Sequence, residues 1–333
     1  MLRRMRSCIL AIFIISSISC YMVGTKIYLP GKIAVSPLGR NVYVVYNNSD
    51  LKSAEIKLKT DKQVWNDALM WLHKDDSFVG VEGFKKETGG TIKSNVVRFN
   101  LTGTIVDKIY DSRDGEIVGL AYPSRNDKYL LFTSERIGDP KVNPLEGLNA
   151  KQSFVILDFE RKEVIKRLEN IGSSLNIDLH ESPWLYDEDS FIYTISNERK
   201  VSLEGTDINP IRDSSRGVYL YDLKTDAKKL LVPEARFGIC SPVNGQIAYI
   251  LDKSIWIQNI NDGSKKSIYQ AGSKEKITNL HWTPDGKYIY LAYYKNPGSE
   301  WFSSSDEKLI EISSGKEISF NKIGQGFNAY TWK

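Results

Sequence analysis

Trp71-Leu72-His73-Lys74-Asp75-Asp76-Ser77-Phe78 and Trp184-Leu185-Tyr186-Asp187-Glu188-Asp189-Ser190-Phe191 share Trp-Leu at the start, Asp-Ser-Phe at the end and the spacing between. Each reads as the end of one apolar strand, a polar turn and the start of the next strand. The frame returns as Tyr122-Pro123-Ser124-Arg125-Asn126-Asp127-Lys128-Tyr129, as Cys240-Ser241-Pro242-Val243-Asn244-Gly245-Gln246-Ile247 and as Trp282-Thr283-Pro284-Asp285-Gly286-Lys287-Tyr288. Val35-Ser36-Pro37-Leu38-Gly39-Arg40-Asn41-Val42 is a further copy near the start, and Tyr330-Thr331-Trp332 resembles the first strand of a copy cut off at its turn. Successive copies stand about 50 residues apart, the size of a four-stranded propeller blade.

The stretches between copies contain the remaining strands. After Cys240 come 246–251, 254–260 and 266–269, short and rich in β-branched and aromatic residues, separated by Asp252-Lys253 and Asn261-Asp262-Gly263. Such pairs favour tight hairpins. A period of 3.6 residues is hard to find beyond the N-terminus, while tyrosine is abundant at 18 residues and aromatics make up 11% of the chain. The expected fold is all-β, a β-propeller of six four-stranded blades, with seven as the alternative. In the six-bladed ring, 327–333 supplies the innermost strand of the blade whose outer strands come from 33–58. Long polar stretches at 135–152 and 197–217 read as surface insertions, with shorter ones at 85–94 and 296–306, and loops of this length tend to carry function.

Residues 1–23 differ from the propeller at 24–333. Arg3, Arg4 and Arg6 precede an uncharged run from Ser7 to Gly24 that includes Ile9-Leu10-Ala11-Ile12-Phe13-Ile14-Ile15. A basic start followed by an apolar stretch is an export signal or a membrane anchor, with the arginines left in the cytoplasm. Ser17-Ile18-Ser19-Cys20 resembles a lipobox, which makes Cys20 the lipidation candidate beside an uncleaved anchor or plain secretion. The expected location is extracytoplasmic and membrane-anchored, in a bacterial cell envelope or periplasm. Only Cys240 remains in the body, so no internal disulfide forms. Without the leader's arginines, the formal net charge of +4 falls close to neutrality, which argues against nucleic-acid binding.

Trp282-Thr283-Pro284-Asp285-Gly286-Lys287-Tyr288 resembles the repeat of TolB-like propellers, in which an aromatic residue, Ser or Thr, and Pro-Asp-Gly-Lys join the inner strand to the next. The resemblance gives Trp71, Trp184, Trp282, Pro284, Asp285, Gly286 and Trp332 structural roles in the blade repeat. It implies a ring whose members mostly bind proteins or peptides outside the cytoplasm, with enzyme members usually carrying chemistry on an added domain.

Chemistry is hard to find in the body. There is no Gly-x-Ser-x-Gly elbow and no sialidase-type box. The three histidines each lie near a repeat tryptophan, and His180 and His281, with Asp178 or Glu181, are candidates to converge in the channel, although no metal-ligand spacing is present. The acidic turns at Asp75-Asp76, Asp187-Glu188-Asp189 and Asp285 lack calcium-loop spacing. The expectation is a non-catalytic platform that needs no cofactor and binds a protein, peptide or glycan partner. The alternative is a propeller enzyme, a carbohydrate lyase or hydrolase with its site in the channel. Intact-mass analysis of the protein taken from its native membrane is expected to show either a chain starting at acylated Cys20 or the full-length chain; an unacylated, shortened chain would refute tethering.

Overall fold

The computed structural model describes residues 30–35, 42–47, 52–60, 63–64, 69–84, 93–113, 115–136, 151–168, 182–195, 216–295, 305–320 and 330–332. Among them there is no helix, and every strand pairing is antiparallel. Six sheets form, one per blade. The first blade runs from inside to outside as β23 (Tyr330–Trp332), β1 (Lys32–Val35), β2 (Val42–Asn47) and β3 (Lys52–Lys57). In the second, β4 (Gln63–Val64) and β5 (Met70–Trp71) both pair with β6 (Ser77–Phe84), followed by β7 (Lys93–Asn100) and β8 (Ile105–Asp111). The third comprises β9 (Glu116–Pro123), β10 (Tyr129–Arg136), β11 (Lys151–Asp158) and β12 (Glu163–Leu168).

The fourth blade holds β13 (Ser190–Ile195), β14 (Gly217–Asp222) and β15 (Ala227–Pro233), with Trp184 bridging to Phe191 where an inner strand belongs. The fifth comprises β16 (Arg236–Cys240), β17 (Gln246–Leu251), β18 (Ser254–Asn259) and β19 (Lys265–Gln270). The sixth comprises β20 (Glu275–Trp282), β21 (Tyr288–Lys295) and β22 (Ser305–Glu311), and Glu317 bridges back to Ile310.

The ring closes as the six-bladed reading expects, because β23 and β1 share one sheet, with Ile33 opposite Trp332. One detail differs. With β23 inside it, β1 is the second strand of its blade. The stretch 36–41, which lies outside the described residues, therefore joins second and third strands and is not another inner turn.

Local chemistry accounts for the turns. Asp252 and Lys253 both have positive φ, 55° and 77°, the signature of the two-residue turn that suits the twist of β17 and β18. In the inner turns 124–129, 185–190 and 283–288, the first residue's N–H reaches the last residue's carbonyl and the fourth residue's N–H reaches the first's. The fourth residue is left-handed in each: Asp127 (54°), Glu188 (62°) and Gly286 (67°). The Pro-Asp-Gly glycine thus occupies a position that two other blades fill with a carboxylic acid.

The core lies in the seams between blades. One apolar cluster runs from Met70 and Leu72 through Phe132 and Ile156 to Trp184 and Tyr221, joining blades two, three and four. Others join blades five and six, one and two, and four and five. Burial falls from the second strand outward: Ile247 and Tyr249 on β17 are fully buried, whereas the outer strands β12 and β19 are largely exposed. A buried side chain of this size contributes about 2 kcal/mol through removal from water.

A repeated hydrogen bond supplements this packing. Trp184 Nε1 donates to the Tyr122 carbonyl (3.0 Å), Cys240 Sγ to the Pro183 carbonyl (3.2 Å) and Trp282 Nε1 to the Ile239 carbonyl (3.3 Å). Each donor occupies the residue before an inner turn, and each acceptor stands one residue earlier in the frame of the preceding blade. In the first blade, Trp332 Nε1 donates instead to the carbonyl of Pro30 (2.7 Å).

A Cβ on Gly286 would meet Val243 Cγ2 at 2.3 Å in addition to the left-handed backbone. Gly286→Ala is expected to cost about 2 kcal/mol by denaturant unfolding. Adding Val243→Ala should recover the contact part and leave the backbone part.

Candidate active site

All inner strands run in one sense, so the inner turns share one face of the ring. The connections at 85–92, 137–150, 196–215 and 296–304 join second to third strands, and 169–181 and 321–329 lead into inner strands. These therefore start and end on the opposite face, termed the loop face.

At the loop end of β9, Glu116 is buried with its side chain 4% exposed. Its Oε1 accepts from Ser134 Oγ (2.5 Å) and Arg167 Nη2 (3.1 Å), and its Oε2 accepts from the Arg113 N–H (3.0 Å) and Tyr110 Oη (3.0 Å). Burial pushes this carboxyl up, but the bonds from Ser134, Arg113, Tyr110 and Arg167 outweigh it and hold it below the ordinary 4.5. Burial, with the charge of Glu116, raises the Tyr110 phenol.

The same arrangement recurs at the loop end of β20, between blades five and six. Glu275 Oε2 accepts from Tyr269 Oη (2.7 Å) and the Gly272 N–H (2.8 Å), while Lys308 Nζ donates to Tyr269 Oη (2.7 Å) and Glu275 Oε1 (3.2 Å). Lys308 also lies over the rings of Tyr269 (4.8 Å) and Tyr293 (4.7 Å), within cation–π range. Beside it, Asp306 accepts from Tyr293 Oη (3.2 Å) and Lys295 Nζ (2.7 Å).

Burial would lower the Lys308 ammonium, but its bonds to Tyr269 and Glu275 raise it. Burial pushes the Tyr269 phenol up to about 12. Glu275 is held below 4.5: burial raises it, and the bonds from Tyr269, Gly272 and Lys308 prevail. At neutral pH the set is ammonium, neutral phenol and carboxylate.

The two clusters differ in openness. The Glu275 side chain is 18% exposed against 4% for Glu116, and no serine closes its shell among the contacts described. The carboxylate is the more enclosed group in the first cluster, whereas the cation is the more enclosed group in the second: Lys308 is 16% exposed against 29% for Arg167.

Sequence reasoning missed both clusters. Tyr110 to Glu116 and Tyr269 to Glu275 have one spacing, but Tyr-x5-Glu is too thin a signal alone, and the cations Arg167 and Lys308 arrive from β12 and β22.

The residues singled out from the sequence occupy other places. Trp71 is buried, its ring centroid 4.0 Å from that of Phe78, and Trp184 and Trp282 fill seams. Pro284, Asp285 and Gly286 form the last inner turn, where Asp285 Oδ1 accepts from Thr283 Oγ (2.6 Å) and the Lys287 N–H (3.1 Å). His281 is fully buried, its ring 6.1 Å from that of Tyr290, beside the closing seam where Tyr290 meets Phe320 and Trp332. His180, Asp178, Glu181 and Cys20 lie outside the described residues. His73 donates its backbone N–H to Asp127 Oδ1 (2.9 Å), Asp75 pairs with Arg98, and Asp189 pairs with Lys224.

No family model matches this chain, and no curated protein matches it by sequence. Its fold has solved counterparts. The chain superposes on an oligogalacturonate lyase in complex with manganese with a TM-score of 0.57 at 12% identity, covering 83% of this chain and 69% of that one. It superposes on a mutant apocarotenoid oxygenase of Synechocystis with a TM-score of 0.56 at 10% identity, covering 92% of this chain and 73% of that one. Ring and comparisons together define a β-propeller.

They also correct the expectation of a non-catalytic binding platform. That reading rested on enzyme propellers carrying their chemistry on an added domain, whereas here most of two enzyme chains overlaps the ring itself. The missing serine-hydrolase and sialidase motifs leave those two chemistries without support and say nothing of others. Manganese in the lyase raises the question of a metal in this chain. Among the described residues, no group of three or more His, Cys, Asp or Glu could hold one, so no step is derived through a metal.

Removing the cation of the first cluster leaves Glu116 buried without a charge partner. Arg167→Met is expected to cost about 3 kcal/mol by denaturant unfolding, largely recovered by adding Glu116→Gln. Because Glu116 and Glu275 are depressed, their contribution is present above the ordinary glutamate value and lost as pH falls through their folded-state values. Glu116→Gln should therefore flatten the acid limb of the stability profile.

Proposed function

We propose that this chain is a propeller enzyme that cleaves a carbohydrate, acting as a lyase on an acidic sugar polymer, with its site on the loop face between the fifth and sixth blades. The observation that carries this reading is the Tyr269 hydroxyl held between the Lys308 ammonium and the Glu275 carboxylate, each 2.7 Å away. The fold likeness to an oligogalacturonate lyase supports the substrate class.

In an elimination, a base from outside this cluster removes the proton beside the sugar carboxylate, the carbon–oxygen bond to the leaving sugar breaks, and that oxygen takes a proton. Tyr269, a neutral phenol at working pH, is suited to give the last proton. Lys308 is placed to stabilise the phenolate left behind and to attract the substrate's carboxylate. Glu275 is a positioning residue that orients both. Hydrolysis of the same bond is the second reading, since an acid-delivering phenol serves either.

The TolB-like repeat at Trp282–Tyr288 and the leader at 1–23 further support an exported propeller held at a membrane, with Cys20 lipidated. A glycan is then the partner expected outside the cytoplasm.

Purified protein should be incubated with polygalacturonate, other uronate-containing polymers and a neutral polymer. Elimination is expected on an acidic polymer, detected as the ultraviolet absorbance of the new unsaturated chain end. Reducing ends without that absorbance would identify hydrolysis. Tyr269→Phe and Lys308→Met are expected to lower the rate at least 100-fold in folded protein. Folded variants with full rates would overturn the site, and no cleavage of any acidic polymer would overturn the substrate class.

A further inference from the structure

The inner strand of the fifth blade, β16, carries backbone strain within its own length. Phe237 has a left-handed φ of 55°, and it is the one bulky apolar residue among the described residues that does; the other non-glycine cases are acids and lysines lying between strands. Such a conformation is disfavoured for a large side chain and persists only where the surroundings enforce it. The cause is a bulge. Arg236 stands opposite Ile250 and Ile239 opposite Ala248, so Phe237 and Gly238 together face Tyr249. Blade four holds the bulge in place: the Gly238 N–H donates to Thr194 Oγ1 (3.3 Å), and a Cβ on Gly238 would meet Val218 Cγ1 at 2.7 Å.

The extra residue decides which way Arg236 faces. Directly opposite residues on paired strands share a face of the sheet. The row through Arg236 continues as Ile250, Ile255 and Tyr269. Ile250 and Ile255 belong to the apolar cluster between blades five and six, and Tyr269 packs against it. Arg236 and Tyr269 therefore stand in one row on the face that meets blade six, three strand spacings or about 14 Å apart. Without the bulge, alternation along β16 would turn Arg236 toward blade four.

The charge of Arg236 is uncommitted. Arg98 pairs with Asp75 and Arg167 with Glu116, whereas no acid among the described residues pairs with Arg236, which is exposed at the loop-face start of β16. At the other end of the row, Tyr269 is bonded to Lys308 and Glu275. A cation thus stands toward each end, with Ile250 and Ile255 between. A guanidinium presents paired donors that match a carboxylate.

We infer that Arg236 is a specificity-determining residue that holds a second carboxylate of an acidic sugar chain at the inner edge of the ring, while the reacting unit lies at Tyr269 and Lys308. This rests on the proposed lyase reading. The carboxylate at Arg236 belongs to a unit some way along the chain from the bond that breaks, so Arg236 helps to hold long substrates and takes no part in the chemical step. The strained backbone at Phe237 is what keeps the guanidinium facing this seam.

The test measures cleavage and, by titration calorimetry, binding of polygalacturonate, other uronate-containing polymers and their disaccharides by the full chain and by its Arg236→Met and Arg236→Lys variants. Arg236→Met is expected to raise KM for the polymer about tenfold with kcat unchanged, as loss of one charge-assisted contact away from the reacting bond requires. A disaccharide offers carboxylates only on the two units at the breaking bond, so its parameters should stay at the parent's values. Arg236→Lys keeps the charge and should recover part of the polymer affinity. Unchanged KM and affinity for the polymer, or an equal loss on polymer and disaccharide, would overturn the Arg236 subsite and leave the lyase reading standing. Polymer binding without cleavage, weakened in Arg236→Met, would overturn the lyase reading and support the subsite. A parent that neither binds nor cleaves any of these polymers overturns both.

Discussion

A ring of blades stands or falls on the join between neighbours, and here that join is a side-chain donor reaching one carbonyl of the preceding inner strand. Trp184, Cys240 and Trp282 make the same bond across three seams. An indole buried in a seam excludes water from the carbonyl it bonds, so the apolar packing and the hydrogen bond depend on each other. Cys240 shows that the geometry matters more than the ring, since a thiol at the same position finds the equivalent carbonyl. The two faces of the ring follow from this stacking.

The ring divides its polar chemistry between its ends. On the turn face, Asp127 and Glu188 replace the glycine of the Pro-Asp-Gly turn, and Asp127 leans back on the previous blade to accept two backbone amides. On the loop face, carboxylates at the starts of β9 and β20 meet cations and phenols. The pattern repeats because the frame repeats, but its copies are not equal: one encloses its carboxylate with Ser134 and Arg167, while the other encloses its ammonium with Tyr269 and Tyr293.

Much of the fold was legible because blade turns are local. The spacing from Trp184 to Phe191, and the Thr283-Pro284-Asp285-Gly286 turn, report hydrogen bonds that close within six residues. Blade one was harder: Val35 to Val42 has the composition of an inner turn, and only the pairing of β1 with β23, from the far end of the chain, assigns it elsewhere. The site was less legible for the same reason, since Tyr269, Glu275 and Lys308 come from three strands in two blades. Histidines drew attention as the usual carriers of chemistry, yet His281 is sealed beside the closing seam. The non-catalytic expectation was overturned by the overlap of the ring with most of two enzyme chains, which no local stretch of sequence could have reported.

The bond from the Trp332 indole to the Pro30 carbonyl has a consequence for closure. It brings the two ends of the ring's covalent path together on the turn face, where the other blades have an unbroken turn. The first blade is thus completed by a contact between residues 302 positions apart in the chain, where every other blade relies on a turn of a few residues.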